Sequence, residues 1–367
     1  MRRILYLSRG GSFGGSQKQL YYLLKGLDGT YSPIVVCTKE GDFFTALNSV
    51  KITAYTRMVC PWRKFPKGLL RYWDAEQLTS IARRHNVCLV HCSELWLSGY
   101  MRWIAMRLNV PSVLHIRTPI TPKEVRKHKC SKATALIAIS RRVRRNLLEA
   151  GIAPRKITRI HDSVDLNVLC PQENKPNVLR QDFKRQEKIL VGLVGRIESL
   201  KQQLEFLKAV KQVLQRASKQ VAFFLIGAVH DRDYYDQLEE YIHNNGIAGK
   251  IIFTGHRNDM PTVLNSLDFL VTLSGGSVMF EAAACGKPVI AAYLDRRDDK
   301  KLNYLRFRPI LPAQTLTGLV DTILWLINDS QARERVGFES RNWAIRSFDP
   351  KVMAVKTQNL YNKLVPP

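Results

Sequence analysis

Short apolar runs rich in β-branched residues recur along this chain, and stretches of helical periodicity separate them. Residues 2–8 (RRILYLS) and the segments SPIVVCT, VCLVHCS and PSVLHIR have the length and composition of strands, while DAEQLTSIARRH and GYMRWIAMRL have the spacing of helices. ATALIAIS followed by RRVRRNLLEAG repeats the order. Alternation of this kind predicts right-handed βαβ units, and so a parallel sheet with helices on both faces.

Between residues 170 and 188 the text becomes polar, charged and broken by proline (CPQENKPNVLRQDFKRQEK), which predicts a linker over 171–187. The alternation then restarts with ILVGLVG, QQLEFLKAVKQVLQR, VAFFLIG, DYYDQLEEYIHNNG, KIIFTG, MPTVLNSL, DFLVTLS and KPVIAAY. The expected organisation is therefore a first doubly wound domain over 1–170 and a second over 188–340. The stretch 341–367 is expected to be helical and to return to the first domain.

Charge is distributed unevenly. The 367 residues carry 57 Lys and Arg against 31 Asp and Glu, a formal charge of +26. Residues 1–170 hold 29 basic and 10 acidic side chains, and residues 171–367 hold 28 and 21. An excess of that size in one half predicts an anionic partner: a membrane surface, a phosphorylated substrate or nucleic acid. Basic and aromatic residues mingle in residues 60–73 (CPWRKFPKGLLRYW) and in MRWIAMR, and RTPITPKEVRKHKC and RRVRRN add further cations. Rings beside cations suit an anionic membrane surface, although a basic face without a specific partner has the same composition. Nucleic acid is disfavoured as a partner, because no zinc finger, RRM signature or helix-turn-helix pattern accompanies the charge. No apolar run reaches about 18 residues, and seven dispersed cysteines suggest reduced thiols and no metal site. The expectation is a cytoplasmic protein.

Ligands of open α/β sheets bind beyond the carboxyl ends of strands, and two such domains place the default site in the cleft between them. Arg196 follows ILVGLVG, and Lys201 stands five positions later. Two cations there form either a diphosphate clamp or ordinary solvated charge. In SGGSVMFEAAACGKPVIAA (residues 274–292), Gly275 and Gly276 permit close backbone approach, Ser274 or Ser277 can cap the following helix, and its free N–H groups suit phosphate. Glu281 either holds vicinal hydroxyls, as on a ribose, or complements the helix dipole.

The segments VGLVGRIESLKQQLEFLKAV, AFFLIG, IIFTGHRNDMPTVLNSLDFLVTLS and FEAAACGKPVIAA, in that order, resemble the donor half of family 4 glycosyltransferases. The first half resembles that family more loosely, through GGSQKQL, VLHIRTP and KITRIHDSVDL. The resemblance implies the GT-B fold, in which two Rossmann-like domains face a central cleft, and sugar transfer with retention from a nucleotide donor. It further implies that Arg196 and Lys201 grip the donor diphosphate, that Gly255 and His256 lie along the base and that Glu281 holds the ribose. Ser277 and Val278 would stand near the phosphates, Gly14 and Gly15 in the loop that closes on the donor, and His115 near the transferred sugar; a lone histidine is equally a structural residue. The implied chemistry needs no cofactor and no metal, since fixed cations and helix N–H groups can stabilise charge on the leaving β-phosphate. The implied partners are a nucleotide sugar and a glycan or glycolipid acceptor such as lipopolysaccharide core. One departure stands out: the family has a pair of glutamates, and where the first belongs this chain has Leu273. Groups of SGGS could replace its hydrogen bonds, or transfer activity could be weak or lost.

Overall fold

The computed structural model describes residues 1–62, 70–172, 176–185, 189–294 and 309–365. Part of the expected linker and the middle of the basic stretch 60–73 lie outside the described residues. The chain divides into two compact units, Met1–Ser163 with Pro350–Pro367, and Val164–Asp349.

Among the described residues the first unit has seven strands: β1 (Arg2–Ser8), β2 (Tyr31–Cys37), β3 (Thr53–Thr56), β4 (Val87–Cys92), β5 (Ser112–Ile116), β6 (Ala135–Ala138) and β7 (Ile157–Arg159). Their order across the sheet is β3-β2-β1-β4-β5-β6-β7, every pair parallel. The second unit has six: β8 (Ile189–Val194), β9 (Val221–Ile226), β10 (Ile251–Gly255), β11 (Phe269–Thr272), β12 (Val289–Ala292) and β13 (Leu311–Ala313). Their order is β10-β9-β8-β11-β12-β13, again parallel throughout. Each sheet reverses its winding once, between β1 and β4 and between β8 and β11. Loops leaving those neighbouring strands diverge and open a crevice at the carboxyl edge.

Each sheet is buried on both faces, which is why its strands carry continuous apolar runs. Leu5, Val90 and Leu114 face one layer of the first unit, and Ile4, Tyr6, Leu89 and Val113 face the other. In the second unit Val191, Phe223 and Val271 look one way and Leu190, Phe224 and Leu270 the other.

The unit boundaries fall elsewhere than the sequence suggests. Leu179, inside the expected linker, and Val164 and Leu169, just before it, are all buried in the core that holds Leu190 and Phe224. Three spaced anchors do not register as an apolar run, so a packed segment resembles a linker. The stretch 341–367 is likewise two helices. Ser330–Phe348 belongs to the second unit, where Ala344 and Phe348 are buried. Asp349 takes φ −58°, ψ 132° before Pro350, because a residue preceding proline is pushed out of the helical region. The helix Pro350–Leu364 then completes the first unit, burying Met353, Ala354, Leu360 and Tyr361 beside Ile4 and Tyr6.

Candidate functional site

In the second unit the expected donor residues gather along one sheet edge. After β8 the chain stays pinned to its neighbour, with Gly195 N–H donating to Ile226 O at 2.9 Å and Ile197 N–H to Ala228 O at 2.9 Å. Gly227 closes the gap: it has φ +153°, and a Cβ on it would lie 2.1 Å from the Gly195 oxygen. Arg196 projects outward, its side chain 58% exposed, and pairs with Glu198 at 3.0 Å. Lys201 ends a short 3-10 turn and folds its stem back over Gly195, where a Cβ would meet its Cδ at 3.2 Å. Both cations therefore stand at the carboxyl end of β8, with Lys201 held by packing of its methylenes.

The second wall is the loop after β11. Thr272 donates its hydroxyl to Gly275 O at 3.3 Å, and Gly275 and Gly276 have φ +70° and +119°, a turn that other residues rarely adopt. The helix Val278–Ala284 follows. Neither serine caps it by its side chain. Ser277 already has helical angles (φ −63°, ψ −29°), whereas capping requires an extended residue, and Ser274 Oγ turns to Gly275 O at 3.5 Å. The exposed Gly276 and Ser277 leave a helix entrance of backbone, with Val278 half-buried behind it. Glu281 is half-buried one turn into the helix. Leu273 is 1% exposed and packs in the core with Val271, so its side chain offers nothing to a ligand. On the other side, Gly255 ends β10 and His256 is exposed, its Nε2 2.9 Å from Asn258 Oδ1. Gly227 N–H donates to Gly255 O at 3.0 Å, tying this loop to those after β8 and β9.

The first unit presents its own polar cluster at the β1–β4 reversal. Gly14, in extended conformation, precedes the helix Gly15–Lys25, and a Cβ on Gly15 would meet nothing within 4 Å. Ser16 Oγ donates to Glu94 Oε1 at 3.1 Å, so the loop after β1 reaches the residue just beyond β4. Burial holds the Glu94 carboxyl above its ordinary pKa, opposed by Ser16 and by the charges of Arg117 and Arg9. Arg117, the first residue after β5, pairs with Asp162 and donates to His115 Nδ1 at 3.3 Å.

His115 itself lies inside β5, 2% exposed. The resemblance puts it near the transferred sugar; in the structure it is walled in against His91, ring centroids 5.5 Å apart. Since Arg117 can only donate, Nδ1 accepts and Nε2 carries the proton of a neutral ring, with no hydrogen-bond partner among the described residues. Burial, then the charges of Arg117 and His91, depress its pKa well below the usual value. His91 Nδ1 lies 2.6 Å from the Tyr361 hydroxyl, which is 3.1 Å from that of Tyr6. Sequence reasoning missed Glu94, Arg117 and Asp162; the available signal was that each follows a strand, or stands near one, in the basic half.

Comparison with known proteins agrees with this architecture. The model for Glycosyltransferase Family 4 matches residues 13–168, and that for Glycosyl transferases group 1 matches residues 174–343. A solved structure of Anabaena Alr3699/HepE in complex with UDP superposes with a TM-score of 0.81 at 21% identity, covering 99% of this chain and 100% of that one. The apo lipopolysaccharide outer core galactosyltransferase WaaB gives 0.69 at 14% identity, covering 99% and 100%. The two units are thus those of a GT-B glycosyltransferase. The chain belongs to glycosyltransferase family 4.

Among curated relatives, the D-inositol 3-phosphate glycosyltransferase of Mycobacterium marinum is 28% identical over 230 residues, 56% of this chain and 48% of the relative. The UDP-Gal:alpha-D-GlcNAc-diphosphoundecaprenol alpha-1,3-galactosyltransferase of Escherichia coli is 24% identical over 223 residues, 59% and 51%. The chain spans about half the length of these relatives in the matched regions.

Proposed function

We propose that this chain transfers a sugar, with retention at the anomeric carbon, from a nucleoside diphosphate donor to an envelope glycan or glycolipid such as lipopolysaccharide core. The observation that carries the reading is the β8–β11 reversal, where Arg196, Lys201 and a side-chain-poor helix entrance stand on neighbouring strand ends. Fixed cations and backbone N–H groups there suit a diphosphate, and they stabilise the charge that grows on it as the glycosidic bond breaks. This is the metal-independent form of the chemistry. Glu281 accepts from the ribose hydroxyls, and Gly255 and His256 border the base. Glu94, protonated more readily than a free carboxyl, belongs to the acceptor side of the first unit. The HepE complex with UDP favours a uridine nucleotide, and the WaaB and diphosphoundecaprenol relatives favour an envelope acceptor reached from the inner face of a membrane.

A second reading follows from Leu273. With the first acid replaced by a buried leucine, the sugar loses one hydrogen-bonding partner, and the chain would bind donors while transferring slowly or not at all. Thermal-shift screening against nucleotide sugars, UDP-sugars first, identifies the donor, because a ligand of the folded state raises its melting point. Turnover of the selected donor, by hydrolysis or transfer to lipid-linked acceptors, rejects the second reading. Failure of every nucleotide sugar to shift the protein refutes the proposed function.

A further inference from the structure

The first unit carries a surface that the donor and acceptor reading leaves unused. The helices Leu70–Arg84 and Ser98–Leu108 share an aromatic cluster in which Tyr72 and Trp103 lie 5.0 Å apart and Trp62 lies 6.0 Å from Tyr72. Trp62 rests flat on Gly99, where a Cβ would come within 2.3 Å of its ring. Beside the cluster, apolar side chains project into solvent: Trp73 is 57% exposed, Leu70 52% and Met106 68%. Nearly every ring has an arginine over its face. Arg57 stands 4.8 Å from the Trp73 centroid, Arg71 4.8 Å from Tyr72, and Arg107 5.0 Å from Trp103. The neighbouring acids are engaged, Glu76 by Trp103 and Arg107, and the buried Asp74 by the Cys60 N–H.

Exposed indole and thioether groups are costly in water, and a protein partner would ordinarily meet them with an apolar surface of its own. Here the apolar groups are interleaved with guanidinium groups on a unit of strong positive charge. Arg71 donates to the Trp62 carbonyl at 2.9 Å and to the Tyr72 hydroxyl at 3.2 Å, and Arg107 pairs with Glu76 at 3.1 Å, which holds both groups over their rings. A guanidinium has five N–H donors, so each keeps others for phosphate, while tryptophan and methionine match the boundary between headgroups and acyl chains.

We propose that this surface docks the first unit onto the anionic headgroup layer of a lipid bilayer, with Trp73 and Met106 inserted and Arg57, Arg71 and Arg107 on lipid phosphates. The proposal deepens, and rests on, the reading of a membrane-borne acceptor. Its test is flotation of the full chain with phosphatidylglycerol–phosphatidylcholine vesicles and with phosphatidylcholine alone, without nucleotide.

The expected results are at least tenfold stronger partition onto the anionic vesicles and at least tenfold loss in the Trp73→Ser/Met106→Ser variant. Near-parental binding should persist in Trp73→Phe/Met106→Leu, which retains apolar bulk. Partition of the serine variant within twofold of the parent overturns the proposal. So does equal binding to both vesicles, or binding of an oligonucleotide or soluble polysaccharide at this patch with vesicles ignored. Donor-induced thermal shift measured on the same proteins separates the two readings. A shift without vesicle binding sinks the docking surface alone, and vesicle binding without any shift sinks the donor site alone.

Discussion

Replacing Lys201 by alanine removes the ammonium group at the end of β8 and leaves the fold untouched. Its stem lies in van der Waals contact above Gly195, so the side chain is held in place before any ligand arrives and little rotamer freedom remains to be lost. The residue is half-exposed, and its attraction for a phosphate about 4 Å away lies between about 1 and 4 kcal/mol, the values for water and for a partly desolvated surface. A charge-assisted hydrogen bond contributes about 1.5–3 kcal/mol. The two estimates overlap near 2 kcal/mol, which predicts a Kd for the nucleoside diphosphate raised about 10- to 100-fold. Isothermal titration with UDP and GDP measures it, and urea melts of the variant check that stability is unchanged. Lys201→Arg should lose less, because charge is kept while the stem geometry over Gly195 changes. An alanine variant that binds within twofold of the parent refutes the assignment of Lys201 to the diphosphate.

Gly227→Ala should destabilise the second unit by about 3 kcal/mol or more, since the new methyl meets a backbone oxygen that cannot swing aside. A melting temperature lower by roughly 6–12 °C follows for a unit of this size, and an unchanged melt would contradict the close approach of the β8 and β9 loops. The first unit should lose stability in acid. His91 and His161 have pKa values lowered to about 3 and about 4, and His115 is lowered well below the usual value, in each case chiefly by burial. Their folded values lie below the unfolded value near 6.5, so the unfolded chain takes protons that the native state refuses. The stabilisation is complete above about pH 6.5 and falls by about 1.4 kcal/mol per histidine per pH unit as pH drops toward 4. Urea midpoints at pH 7.5, 6.5 and 5.5 test this, and a flat profile would show that the three rings are not held neutral.

Much of the fold was legible because parallel strands covered on both faces are written as apolar runs. The strands that escaped are those without that cover. β3 is TAYT with no buried residue, and β7 and β13 are three residues each at sheet edges. The loops of the second unit that carry Arg196, Lys201 and Gly275–Gly276 were legible because cations and paired glycines directly follow strands. The first-unit cluster was not, since Ser16 and Glu94 are separated by 78 positions and meet only because β1 and β4 are neighbours. His115 falls inside the strand that PSVLHIR predicts, and β5 runs to Ile116 with Arg117 at its mouth; that the histidine is buried there follows only from the packing around it. Leu273 is legible as a leucine where the resemblance implies an acid, but its burial in the core follows only from the packing around β11.

The helix Pro350–Leu364 has a consequence for biosynthesis. The hydroxyl that satisfies His91 and Tyr6 sits on Tyr361, about 200 residues downstream of Ser163. At 5–20 residues per second a ribosome needs roughly 10–40 s to cover that distance. Throughout that interval the nascent amino-terminal unit holds an unsealed groove lined by Ile4, Tyr6 and Leu20, while the Val164–Asp349 unit can already mature behind it. The half that is made first is therefore the half that is finished last, and an interrupted translation product would leave it open to chaperones and proteases.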